Sequence, residues 1–188
     1  MKQLPGAVQG AIWMLSSCIF YAAAASLVRE VGDTYTSYQM TMIRSLVAVV
    51  ALAPLYLSED GKLLFMPKRF FMHFLTGVFT YLGIVFWFMA TASMPIADFF
   101  ALQFVTPLLT MAFAIFFLRE NADMRSWIAA LIGFAGVLVI LRPGIIEISF
   151  AAMAALISAV FYASDNTVIK SLTKGASATM IVFYAHLL

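Results

Sequence analysis

Long apolar runs alternate with short charged segments along the whole chain. The clearest pair is 96–118 and about 124–141, held apart by Arg119, Glu120, Asp123 and Arg125. The first of these runs has 23 residues, which at a helical rise of about 1.5 Å per residue reaches roughly 35 Å, enough to cross a bilayer. Lipid offers the intervening charges no partners, so the pattern predicts a membrane helix hairpin with its turn at a water interface. The same alternation predicts helices over about 7–28, 36–57, 71–92 and 148–169. Their connections are the turn 29–33, the polar segment 58–70, a turn at Pro95, the loop 142–147 and the segment 170–175. The final apolar run, 176–188, has 13 residues, short of the roughly 17 that span. A seventh helix is therefore expected to be incomplete.

Composition agrees with this pattern and removes several function classes. Of 188 residues 64% are hydrophobic and 11% charged, with mean hydropathy +1.00, outside the range of soluble domains. A net charge of +2 spread among hydrophobic runs argues for no nucleic-acid partner. The single cysteine, Cys18, lies within the first run, so neither an intrachain disulfide nor a cysteine metal cluster is expected. The first run is too long for a signal-peptide core and reads as an uncleaved helix. Placing the N-terminus in the cytoplasm puts Lys2, Lys62, Lys68, Arg69, Arg119, Arg125, Lys170 and Lys174 inside and only Arg29 and Arg142 outside. That is the asymmetry cytoplasmic loops carry, and it leaves Arg44 in the membrane.

The segment 94–144 contains an ordered set of features: Pro107 inside an apolar helix, Arg119-Glu120 closing it, and then a helix with Gly133 and Gly136 ending in Arg142-Pro143-Gly144. This set resembles the end of one repeat of the EamA-type branch of the drug/metabolite transporter superfamily. Shifting the chain by 141 residues places Leu15, Ser17, Phe20, Tyr21, Ala22 and Arg29 on Leu156, Ser158, Phe161, Tyr162, Ala163 and Lys170. The sixth helix thus repeats the first. A unit of five helices is odd in number, so its second copy enters from the opposite side. The expected fold is an all-α polytopic membrane protein built on an inverted-topology repeat, complete over 1–144 and begun over 145–188, with the family's C-terminal third missing.

Substrates of inverted-repeat carriers sit near the midplane, held by a few polar groups among aromatic rings. The sixth helix places Ser158, Tyr162, Asp165 and Asn166 on one face, and the first places Ser17 and Tyr21 at the matching positions. These are cavity candidates; the alternative for the serines and tyrosines is interhelical packing, and for Asp165 a solvated pair with Lys170. Gln103, Thr106, Pro107 and Thr110 form a polar strip on the fourth helix, where proline frees the carbonyl at 103. That strip is either a cavity wall or a seam of threonines bonding their own backbone. Arg44 lies about 12 Å from its helix end, a depth that costs at least about 3 kcal/mol unless the charge is paired or snorkels. The family tends to carry an arginine here. Tyr81 and Trp87 complete the candidates, whereas Trp13 and Trp127 read as interface anchors. Asp98 and Glu120 cap the fourth helix, with Arg119 and Arg125 beside Glu120. His73 and His186 are isolated and form no metal site. The glycines of the third and fifth helices read as points of close helix contact.

The resemblance implies a secondary transporter that moves small metabolites or drugs by alternating access, with export as its direction and the bacterial cytoplasmic membrane as its place. Its expected partners are a small-molecule substrate and the bilayer, with homo-oligomerisation open and no cofactor. A truncated, non-transporting remnant is the alternative. No GxxxxGKS motif supplies ATP drive. An intramembrane enzyme is remote, since HExxH is absent and Gly175-Ala176-Ser177-Ala178 lacks the last glycine of GxSxG. A seven-helix receptor leaves the repeat unexplained, and the loop charges argue against a dual-topology dimer.

Overall fold

A computed structural model describes residues 6–60, 67, 69–120, 123–141 and 149–188. Among the described residues all regular structure is helical: α1 Gly6–Val31, α2 Ser37–Asp60, α3 Phe70–Ser93, α4 Ile96–Gln103, α5 Val105–Leu118, α6 Met124–Leu141, α7 Phe150–Leu172 and α8 Ala178–Leu187. Five stretches, with α4 and α5 taken together, are long and apolar enough to cross a membrane. The chain is an all-α polytopic membrane protein. Lys2, Lys62, Lys68 and Arg142, and the expected unit boundary at 144, lie outside the described residues.

Local chemistry explains where the helices begin. Ser149 accepts from the Ala152 amide at 3.2 Å and Ser177 from the Met180 amide at 3.2 Å, so each hydroxyl satisfies a donor that the first turn leaves free. Thr36 and Gln39 form a reciprocal box before α2, at 3.0 and 3.4 Å, which fixes the chain's entry to that helix.

Helix α3 is the centre of the packing and touches α1, α2, α4, α7 and α8. Its broadest neighbour is α7, whose buried face is a run of small residues, Ala151, Ala154, Ala155, Ser158, Ala159 and Ala163. Lipid tails are as apolar as leucine, so association here rests on close packing and interhelical hydrogen bonds, which small residues permit. On the α3 side Gly83 leaves room for the Tyr162 ring, which a Cβ would meet at 3.5 Å. Arg69 donates to the Ser171 carbonyl at 3.1 Å, while Ser158 bonds the Gly83 carbonyl, so α3 and α7 run antiparallel. Tyr21 meets Trp87 and Gly32 meets Ala92, so α1 and α3 ascend together. The two helices that resemble each other in sequence, α1 and α7, therefore run in opposite directions.

The expected single helix over 96–118 is two. It breaks at Phe104, whose amide turns back to the Ala101 carbonyl. The cause is Pro107, three residues on: its ring clashes with the carbonyl of residue 103 and it donates no hydrogen bond. At the far end α5 closes on Arg119 in the left-handed region, φ 54°. Glu120 pairs with Lys170 of α7, rather than with Arg119 or Arg125 as its neighbourhood in sequence suggests.

Gly32, just past the end of α1, lies close against α3. A Cβ there would lie 2.8 Å from that of Ala92 and 3.0 Å from the Val28 carbonyl. Gly32→Ala is expected to destabilise the protein by about 1–3 kcal/mol through overpacking. Unfolding in mixed detergent micelles measures this, and a variant as stable as wild type would show that α1 is not seated on α3.

Candidate functional site

Five of the residues singled out from sequence line one cavity of about 740 Å³ between α1, α2, α3 and α7: Ser17, Tyr21, Arg44, Trp87 and Tyr162. Four helices contribute because the small-residue seam of α7 and the Gly83 gap of α3 bring Tyr162 opposite α1. The Tyr21 ring meets Trp87 edge to face at 5.1 Å and Phe100 at 5.9 Å. The phenols of Tyr21 and Tyr162 share this lining with the Arg44 guanidinium. Among the described residues of the lining Arg44 is the one cation, and none is a carboxylate. Among the described residues it has no ion-pair partner. The Ser17 hydroxyl is engaged by its own helix, donating to the Met14 carbonyl at 2.8 Å. The Trp87 indole is 3% exposed, and among the described residues its Nε1 has no hydrogen-bond partner.

The remaining candidates lie elsewhere. Ser158 is fully buried behind the cavity, where it donates to the Gly83 carbonyl at 3.1 Å and accepts from Gln103 Nε2 at 3.3 Å. Gln103 in turn accepts from Thr106 at 3.0 Å. The polar strip of the fourth helix is therefore split at the break, with Gln103 serving as a brace. Thr106, Thr110 and Asn166 line a second cavity of about 640 Å³ among α5, α6 and α7, whose lining includes the Glu120–Lys170 pair. Tyr81 lies away from both, in a smaller pocket against α8 with Ser45 and His186. Asp165 is not paired with Lys170. It is 6% exposed and accepts from Thr80 at 2.9 Å. Of the tryptophans, Trp13 at 76% and Trp127 at 37% exposure face outward.

Sequence reasoning missed Phe88 and Tyr35 in the first cavity and Thr80 beside Asp165. Thr80 carried a signal: Thr76, Thr80 and Gly83 recur on one face of an otherwise bulky helix.

Residues 8–142 match the model of the EamA-like transporter family. The chain is 29% identical over 185 residues to the riboflavin transporter of Vibrio cholerae, covering 96% of this chain and 62% of that protein. It is 24% identical to the S-adenosylmethionine uptake transporter of Rickettsia bellii, over 92% of this chain and 59% of the relative. With the pseudopaline exporter CntI of Pseudomonas aeruginosa it shares 27% identity, over 93% of this chain and 61% of that one. The chain thus spans about three fifths of the length of these curated relatives. No solved structure matches it significantly. With a helical membrane fold, an aromatic-lined cavity and a family match over most of its length, the chain belongs to the EamA-like transporter family.

Proposed function

We propose that the protein is a carrier for small metabolites in the bacterial cytoplasmic membrane, working by alternating access, with its substrate held in the cavity among α1, α2, α3 and α7. The observation that carries this reading is the convergence of Tyr21, Arg44, Trp87 and Tyr162 from four helices on that one cavity. The opposed directions of α1 and α7 support an inverted repeat, with a first unit over 1–144 and a second beginning in 145–188. Family membership favours a carrier over an intramembrane enzyme. A cytoplasmic N-terminus follows from the loop charges. For direction, the family resemblance supports export. The relatives are named for both directions, an uptake transporter and an exporter among them.

The lining also supports a substrate chemistry. One guanidinium without a carboxylate favours an anion, and aromatic side chains favour a planar ring. Nicotinate and nicotinamide share a ring and differ in charge, so they test the reading directly. Nicotinate is expected to bind the protein in nanodiscs, and Arg44→Gln to weaken it by about 10–100-fold, the range of a charge-assisted hydrogen bond of about 1.5–3 kcal/mol. Nicotinamide affinity should stay within about threefold between the two proteins, a difference under about 1 kcal/mol. Equal affinities for the acid and the amide in wild type would exclude Arg44 as an anion ligand.

A further inference from the structure

Beside the cavity, three residues of α3 form one buried polar face: His73, Thr76 and Thr80, at i, i+3 and i+7. They are 2%, 0% and 8% exposed. Thr80 donates to Asp165 Oδ2 of α7, and Asp165 has no cationic partner among the described residues. Among the described residues His73 Nδ1, Thr76 Oγ1 and Asp165 Oδ1 are all buried without a hydrogen-bond partner. Three orphaned polar atoms, two on one face of α3 and one on α7 beside Thr80, with the His73 ring against Tyr184 of α8 at 5.3 Å, are unexpected in a packed membrane protein, where buried polar groups are satisfied. They are accounted for if small polar ligands pass along the face. The face also has a direction, because its His73 end lies in the first turn of α3, next to Arg69.

We infer that Asp165 is a proton-binding site, loaded and unloaded along the buried face of Thr80, Thr76 and His73. This goes beyond the carrier reading and does not depend on it. A proton leaves a hydronium ion, whose O–H bond breaks to give water, and forms an O–H bond on Asp165 Oδ1 while Oδ2 keeps its Thr80 hydrogen bond; the reverse step returns the proton to water. An isolated carboxylate in this setting is met by a proton more readily than by a metal ion, because Thr80 supplies a donor to the carboxyl rather than a further ligand oxygen.

The ionisable surroundings leave Asp165 free to titrate. Helix α5 contributes no ionisable side chain, and α4 contributes only Asp98, in its first turn. From α3 the facing group is His73. On α7 itself Lys170 is held by Glu120, and Tyr162 stands one turn away. Behind Tyr162 are Tyr21 and Arg44 in the cavity. Tyr162 thus stands between the two sites, one turn from Asp165 on α7 and in the lining of the cavity.

Infrared difference spectroscopy of the chain in sodium-free liposomes, stepped from alkaline to acid buffer, tests this. A carbonyl stretch of a protonated carboxylic acid should appear in wild type and be lost in Asp165→Asn. Asp165→Glu keeps an acid at the site and should show the band displaced, so the test survives if the asparagine variant fails to fold. Thr80→Val removes the hydrogen bond to Oδ2 and should shift the band without removing it, and His73→Ala should slow its appearance after a pH jump. Absence of the band in wild type, or its persistence in folded Asp165→Asn, overturns the proton site. Suppression of the band by sodium at constant pH replaces it with a metal-cation site. An unchanged rate in His73→Ala overturns the route. A band present in a protein that binds no nicotinate supports the proton site and counts against the substrate reading alone.

Discussion

Trp87→Ala is expected to lower the unfolding free energy by about 2–4 kcal/mol, the cavity portion of the range for deleting a buried aromatic ring. The indole is the hub of the cluster that joins α1, α3 and α4: it meets Tyr21 at 5.1 Å and both Phe88 and Phe99 at 5.4 Å, each edge to face. In water, much of such a loss is the return of apolar surface to solvent. In a bilayer that part falls away, because lipid tails are no less apolar than the protein interior, and what remains is the packing that a void forfeits. Trp87→Phe keeps most of the volume and should cost under about 1.5 kcal/mol. The two variants also separate support from ligand contact. Tyr21 is held over the cavity by the edge of Trp87, so the alanine variant should lose nicotinate binding, whereas phenylalanine, which keeps a ring under Tyr21, should retain it within about tenfold, a difference of about 1.4 kcal/mol. Unfolding in mixed micelles and equilibrium dialysis measure the two effects. An alanine variant as stable as wild type would show that the cluster does not hold α1 in place.

The membrane helices were legible because lipid imposes a simple rule on sequence: a span must be apolar throughout, and charges mark its ends. The first five apolar runs fall on α1, α2, α3, α4 with α5, and α6, and Arg119, Glu120 and Asp123 lie between α5 and α6. Tyr21 and Tyr162 were legible for a different reason. They recur at one offset in two related helices, and the structure brings both to one cavity. What sequence could not supply is which face of each helix meets which neighbour. Nearly every position of α1 and α3 is apolar, so the hydrophobic pattern carries no face, and small residues are the remaining cue. The alanine seam of α7 had such a cue in its i, i+3, i+4 and i+7 spacing. Tyr81 had none: one aromatic among many on α3, it faces α8 instead. The break at Phe104 was half legible, since Pro107 announced a kink and the geometry of residue 103 decided that it became a break.

Ser158→Leu is expected to cost about 3 kcal/mol or more, combining overpacking of about 1–3 kcal/mol with stranded polar groups at about 1–3 kcal/mol. The hydroxyl sits fully buried where α3, α4 and α7 meet, donating to the Gly83 carbonyl and accepting from Gln103, whose amide also reaches the Ala155 carbonyl at 3.4 Å. Leucine fills the gap that lets α7 approach Gly83 and leaves the Gln103 amide without one of its two acceptors. Ser158→Ala leaves the gap open and removes only the hydrogen bonds, so its cost should stay near about 1 kcal/mol. The alanine variant then reports on the break rather than on the packing. Gln103 is the last residue of α4 and Thr106 holds its other side, so freeing it from Ser158 should loosen the junction of α4 and α5 while α3 and α7 stay paired. Hydrogen exchange is expected to quicken at 101–107 in Ser158→Ala and to remain slow at 80–90. Gln103→Leu should quicken the same segment, and the double variant should add less than the sum of the two, because both remove one interaction. Strict additivity would mean that Gln103 and Ser158 act separately and that the broken helix is held in place by its apolar contacts alone.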